Sequence, residues 1–179
     1  MINDSSRLLF LDFDGVLHPD AVYLEKHRPV LKCPGELFMW VPLLIKALDP
    51  YPDIKIVLST SWARVKSFGK ARRYLPDELQ PRLIGATFHT HMKNDNGYMG
   101  WSTGSVTWWD QATRYQQIIR YLSNTGKYPK WIAIDDDVDG WNSRDSYNLV
   151  QTDPDTGISD NKVLRNLEQK LANMYTGNN

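Results

Sequence analysis

Two carboxylates, Asp12 and Asp14, stand one residue apart at the end of an apolar run, Leu8 to Leu11, with Gly15 just after them. Alternation along a strand points both acids the same way and Phe13 the opposite way, and the glycine permits a turn that other residues resist. Holding two like charges together is costly unless a cation sits among them, and hard oxygen ligands suit Mg²⁺. A phosphate would complete such a shell. One carboxylate could then attack phosphorus while its neighbour protonates the leaving oxygen, with a hydroxyl and a cation on the equatorial oxygens. The plain alternative is a strand-ending turn whose carboxylates cap nearby amides.

Two more apolar runs end in polar residues. Ile54 to Leu58 runs into Ser59, Thr60 and Ser61, and Trp131 to Ile134 runs into Asp135, Asp136 and Asp137. Between the strands lie stretches with helical spacing. Leu37, Val41, Leu44, Ile45 and Leu48 form the first, entered or kinked at Pro42. A helix is expected from about Arg64 to Leu75 and a strand from Leu83 to Phe88. A helix carrying Tyr115, Ile118, Ile119 and Leu122 on one face has Asp110 as a candidate cap and Gly126 after its end. A short strand near Tyr147 to Val150 and a last helix with Leu164, Leu167, Leu171 and Met174 follow. The alternation predicts an α/β fold, a Rossmann-like, mostly parallel sheet flanked by helices. In such sheets ligands bind beyond the carboxyl ends of the strands, so Asp12, Asp14, Ser59, Asp135 and Asp136 should meet at one edge. Arg114, early in its helix, starts near that edge. Lys127 and Lys130 precede a strand and belong to the opposite end.

At 179 residues the chain is expected to form a single domain, 1–179, with loop insertions at about 17–35 and 89–109. Neither insertion is long enough for a separate cap, so the site should be open to large substrates. Lys plus Arg equals Asp plus Glu at 21 each, so attraction to nucleic acid must come from a local patch. No apolar run reaches the length of a membrane span. The polar start of the chain and the single Cys33 lead us to expect a cytoplasmic protein.

DFDGV (12–16), VLSTSW (57–62), Arg114 and WIAIDDD (131–137), in that order, resemble the haloacid dehalogenase (HAD) superfamily of phosphatases. The chain is similar in particular to the small capless HAD domains of Swiss Army Knife RNA-repair proteins, through the Ser-Trp run and a late LVQTDPDTGIS segment (149–159). The resemblance extends from about residue 8 to 170. It implies that Asp12 is the nucleophile of an aspartyl-phosphate mechanism, that Asp14 is the acid and later the base, and that Ser59 binds the phosphoryl group. Arg114 would replace the family's usual lysine, with Lys93 as the other candidate. Asp12, the backbone carbonyl of Asp14 and Asp136 would hold Mg²⁺, and Asp135 would share the metal or orient its waters. Asp14 favours phosphate-ester hydrolysis, and the RNA-repair relatives point to terminal phosphates of nucleic acid.

Gly15, Thr60 and His18 are candidate substrate contacts. Ser59 and Thr60 could instead serve backbone groups, and His18 could be an ordinary loop residue. Lys66, Lys70 and Arg73 share one face of the expected helix, with Arg64 and Arg72 nearby, as a solvated surface or as a track for a phosphate polymer. His89 and His91 lack a third ligand for a transition metal. Trp101, Trp108 and Trp109 read as packing or interface ahead of base-stacking platforms. Two rival functions remain: a silent phosphate- or partner-binding module, and a metal-dependent nuclease. Composition and spacing do not specify an oligomeric state.

Overall fold

The first apolar run forms β1 (Arg7–Leu11) and is buried on both faces. Leu9 and Leu11 enter one core cluster, whereas Leu8 and Phe10 enter another on the opposite face. Burial on both sides is why this strand reads as a continuous hydrophobic stretch without alternation. The computed structural model describes residues 2–26, 28–89 and 108–176. On one side β1 pairs in parallel with β4 (Lys55–Leu58), which pairs with β5 (Leu83–Ala86). On the other side it pairs in parallel with β6 (Lys130–Asp135), followed by β7 (Leu149–Gln151). The five-stranded sheet therefore runs β5-β4-β1-β6-β7 and is parallel throughout. The chain moves outward from β1 to β4 and β5, then crosses back to β6, so the strand order reverses between β1 and β6. A crevice opens at such a reversal, beyond the carboxyl ends.

Helices cover both faces. α1 (Val41–Leu48), entered through Pro42, and α6 (Asn161–Thr176) pack on the face that takes Leu9 and Leu11. α5 (Arg114–Thr125) covers the other through Ile118, and Tyr121 meets the edge of Phe10. The expected cap for α5, Asp110, is not used. Thr113 fills that position in a reciprocal capping box with Gln116, and Asp110 instead pairs with Arg64 at 2.6 Å. Gly126 ends the helix in the left-handed conformation its position requires.

Three other boundaries differ from expectation. The helix anticipated over 64–75 is broken into α2 (Ser61–Lys66), α3 (Phe68–Ala71) and a 3₁₀ turn at Arg72–Tyr74. Ser67, at φ +77°, cannot continue an α-helix, and Gly69 adds little helical preference to bridge the break. The strand expected to reach Phe88 ends at Ala86. The insertion at 17–35, read as irregular, carries an antiparallel pair, β2 (Val22–Glu25) and β3 (Arg28–Leu31). Four-residue strands with Pro29 inside give too little alternation to be recognised. Most of the second insertion, including Lys93, His91 and Trp101, lies outside the described residues. α4 (Trp108–Gln111) follows it and buries Trp109 against Phe88. Among the described residues no helix is long and apolar enough to cross a membrane.

Candidate active site

Each strand around the crevice delivers its terminal residues to it. Asp12 follows β1, Ser59 and Thr60 follow β4, and Asp135 ends β6 with Asp136 beyond it. The backbone fastens these ends together: Asp12 N–H donates to Ile134 O at 3.2 Å, and Ser59 N–H donates to Leu11 O at 2.8 Å. Carboxylate oxygens of Asp12, Asp135 and Asp136 lie within 4.8 Å of one another. An octahedral Mg²⁺ shell, with ligands about 2.1 Å from the ion, places its oxygens roughly 3–4 Å apart. A small rotation of these side chains would close that gap.

Arg114 is the first residue of α5 and reaches between two of the acids. Its Nη2 donates to Asp12 Oδ2 at 3.1 Å, and its Nε stands 3.1 Å from Asp135 Oδ2. The second pair is an ion pair that misses hydrogen-bond alignment, so Arg114 Nε and Asp135 Oδ2 are both buried without a hydrogen bond among the described residues. A buried carboxylate oxygen with spare lone pairs suits a cation ligand, and the acid set fits Mg²⁺ on this ground.

One guanidinium does not offset the crowding. Burial pushes the Asp12 carboxyl from 3.8 up to about 6; Arg114 opposes this, and Asp14 adds to it. Burial likewise holds Asp135 well above the usual carboxylate range, with Asp12 contributing next. Asp136 is raised by burial and then by Asp20. Burial works against the Arg114 charge, yet Asp12 and Asp135 outweigh it and its pKa rises. A divalent cation would relieve all three acids at once.

Asp14 lies apart from this cluster. Trp62 Nε1 donates to both its oxygens, at 3.0 and 2.9 Å, and His18 Nε2 stands 3.1 Å from Oδ1. Phe38 N–H donates to His18 Nδ1 at 3.3 Å, so Nε2 carries the proton and donates to Asp14. Among the anticipated metal residues, Asp14 therefore has only its backbone carbonyl to offer. His18 and Thr60 are both buried, as Asp12 and Ser59 are. His18 stands behind Asp14, in edge contact with Phe38 and Trp62. Thr60 caps α2, its hydroxyl accepting from Trp62 N–H at 3.4 Å, and that hydroxyl also hydrogen-bonds to the Asp12 carboxylate. Ser59 Oγ is buried with no hydrogen-bond partner among the described residues.

Gly15 has φ +66°, and a Cβ there would meet the Asp136 carboxylate at 2.6 Å, so the glycine makes room for that acid. Its carbonyl accepts from Thr152 Oγ1 at 2.8 Å. Thr152, Trp62 and Asp20 were not singled out by sequence reasoning. Trp62 stands in VLSTSW and Thr152 in LVQTDPDTGIS, both already quoted as motifs, so the signal was present without an assigned role. The late segment also returns to the loop that follows β1, with Asp20 N–H donating to Pro154 O and Ile158 N–H to Val16 O.

The family model for the HAD domain in Swiss Army Knife RNA repair proteins matches residues 8–163. The chain belongs to this family. Neither curated proteins nor solved structures gave a match. Membership places this HAD domain in a superfamily of phosphatase-type hydrolases, whose members generally use Mg²⁺. The five-stranded parallel sheet with helices on both faces is the architecture that membership implies.

Proposed function

We propose that the protein is an Mg²⁺-dependent phosphomonoesterase that works through an aspartyl-phosphate. The observation that carries this reading is the separation of the acids into two environments: Asp12 against Arg114 and Asp135, and Asp14 against Trp62 and His18. Two acids with different partners can take two roles. An Asp12 oxygen attacks phosphorus, the bond to the leaving oxygen breaks, and Asp14 gives that oxygen a proton. Asp14, now a carboxylate, takes a proton from a water whose oxygen attacks the phosphoryl-aspartate. The Asp12–phosphorus bond breaks, and inorganic phosphate leaves. Asp12, Asp135 and Asp136 would hold Mg²⁺, which supplies charge neutralisation at the phosphoryl oxygens. Arg114 offsets charge on the same side, and Ser59 Oγ has an unused hydrogen bond for a phosphoryl oxygen.

The substrate class that the RNA-repair family favours is a terminal phosphate of a nucleic acid. Activity is tested by hydrolysis of an aryl phosphate with Mg²⁺, with EDTA, and with Asp12→Asn. Turnover should require both Mg²⁺ and Asp12. Equal rates in all three conditions would overturn the reading, and internal cleavage of a nucleic acid without release from monoesters would favour a nuclease.

A further inference from the structure

Asp14 lines a cavity of about 130 Å³ together with Trp62, Tyr23, Leu24, Val65 and Lys66 among others. Leu24, Val65 and Lys66 also line a second, outer cavity of about 500 Å³, completed by Lys70, Arg73 and Tyr74. Shared walls make the two a single groove. One side is the hairpin strand β2, and the other is the broken α2–α3 segment. The break at Ser67 matters here. Lys66, Lys70 and Arg73 do not share one helix face, yet the turn brings all three to the groove.

Five basic residues lie between 64 and 73, and the structure sorts them. Arg64 is paired with Asp110, and Arg72 hydrogen-bonds to the side chain and backbone of Gln80. Lys70 and Arg73 are exposed and have no ion-pair partner among the described residues. Lys66 lies 5.9 Å from the centre of the Tyr74 ring. Among the described residues no carboxylate lines the outer cavity, so three cations face it in a chain of zero net charge. Leu24 and Val65 are exposed apolar walls between the acid and the cations. The groove thus begins at Asp14, continues over apolar surface and ends in positive charge.

We propose that this groove is a leaving-group subsite selective for a leaving group that itself carries a phosphate. The inference rests on the phosphatase reading, which puts the leaving oxygen beside Asp14. The scissile phosphate occupies the acid cluster, the organic part of the leaving group lies along Leu24 and Val65, and its second phosphate meets Lys66, Lys70 and Arg73. A free nucleoside bisphosphate and a phosphate-ended oligonucleotide share this chemistry. Phosphate recognition by a cluster of cations is sensitive to salt in either case.

The test compares kcat/KM for an aryl phosphate, adenosine 3′-monophosphate, adenosine 3′,5′-bisphosphate and a short 3′-phosphorylated oligonucleotide, in the wild type and in a Lys66→Ala, Lys70→Ala, Arg73→Ala variant. The wild type should favour the bisphosphate or the oligonucleotide over the monophosphate by at least tenfold. In the variant that ratio should fall to about one. Preference for the oligonucleotide alone would assign the subsite to a polymer end, and preference for both to any phosphorylated leaving group. Lys70→Glu, an exposed single change, guards against a triple variant that fails to fold and should lower the ratio at least threefold. Equal wild-type turnover of mono- and bisphosphate, or equal losses on every substrate, would overturn the subsite while leaving the phosphatase intact. No turnover of any phosphomonoester would overturn both.

Discussion

Crowded carboxylates leave a thermodynamic mark that is independent of the substrate. In the unfolded chain Asp12 titrates near 3.8, whereas burial raises it to about 6 in the fold. Between those values the folded protein binds more protons than the unfolded chain, so stability falls as pH rises through that window. Well below 3.8 the group is protonated in both states and costs nothing. Above about 6 it is ionised in both, and the folded state carries the full penalty, about 3 kcal/mol. Asp12→Asn keeps the shape and removes the titration. The variant adds a cost of its own, because an amide N–H can replace the oxygen that accepts from Arg114 Nη2. That cost does not depend on pH and cancels when two pH values are compared. Relative to wild type, the Asn variant should therefore gain about 2 kcal/mol between pH 4 and pH 7 in EDTA, measured by urea unfolding. Asp135 adds in the same direction, since Asp12 is among the causes that raise it. Saturating Mg²⁺ should stabilise the wild type more than the variant. A difference that is flat with pH, or that grows towards acid, would refute the reasoning, because it would mean that Arg114 outweighs burial at Asp12.

Gly15→Ala would force a Cβ to within 2.6 Å of the Asp136 carboxylate and strain a left-handed backbone by about 1–2 kcal/mol; calorimetry should show Mg²⁺ affinity lowered at least tenfold, and unchanged affinity would remove Asp136 from the ligand set. Trp62→Phe keeps the aromatic packing and deletes the donor to Asp14. Its kcat should fall by roughly 10–100-fold on an alkyl phosphate and less on an aryl phosphate, whose leaving oxygen needs less proton assistance; equal losses would speak against Asp14 as the acid. Thr113→Ala breaks the capping box of α5 and should cost about 1 kcal/mol in thermal unfolding, with a modest loss of activity because Arg114 is the first residue it anchors. Full activity together with full stability would show that the cap does not position Arg114.

Much of the scaffold could be read from the chain because its strands obey a simple rule. Each apolar run is buried on both faces and ends in a polar residue at the ligand edge, which a short sequence window shows directly. Arg114 could be placed because a helix that leads into a parallel strand starts at that same edge. What escaped depends on side-chain direction. Whether Asp14 belongs to the metal cluster turns on Trp62 and His18, and one of these is 48 residues away. The hairpin β2–β3 escaped because four-residue strands carry too little pattern. The basic residues escaped in a more useful way: sequence spacing put three of them on one helix face, but a positive φ at Ser67 breaks that helix. Their convergence is a property of the turn and not of helical periodicity.

The two acids of the first motif therefore differ in more than position. Asp12 is destabilised by its surroundings, held by one guanidinium against burial and two neighbouring acids, and its charge is best satisfied when another cation or an electrophilic phosphorus arrives. Asp14 is held by two N–H donors on an aromatic wall formed by Phe38 and Trp62, on the side from which the basic groove departs. In the chain only Phe13 separates the two acids. That places the unstable carboxylate where bond formation at phosphorus would relieve it, and the fixed carboxylate where a leaving group would enter solvent. Stability lost at Asp12 and direction imposed at Asp14 are thus consequences of one strand end, and the pH dependence of unfolding and the leaving-group dependence of Trp62→Phe probe them separately.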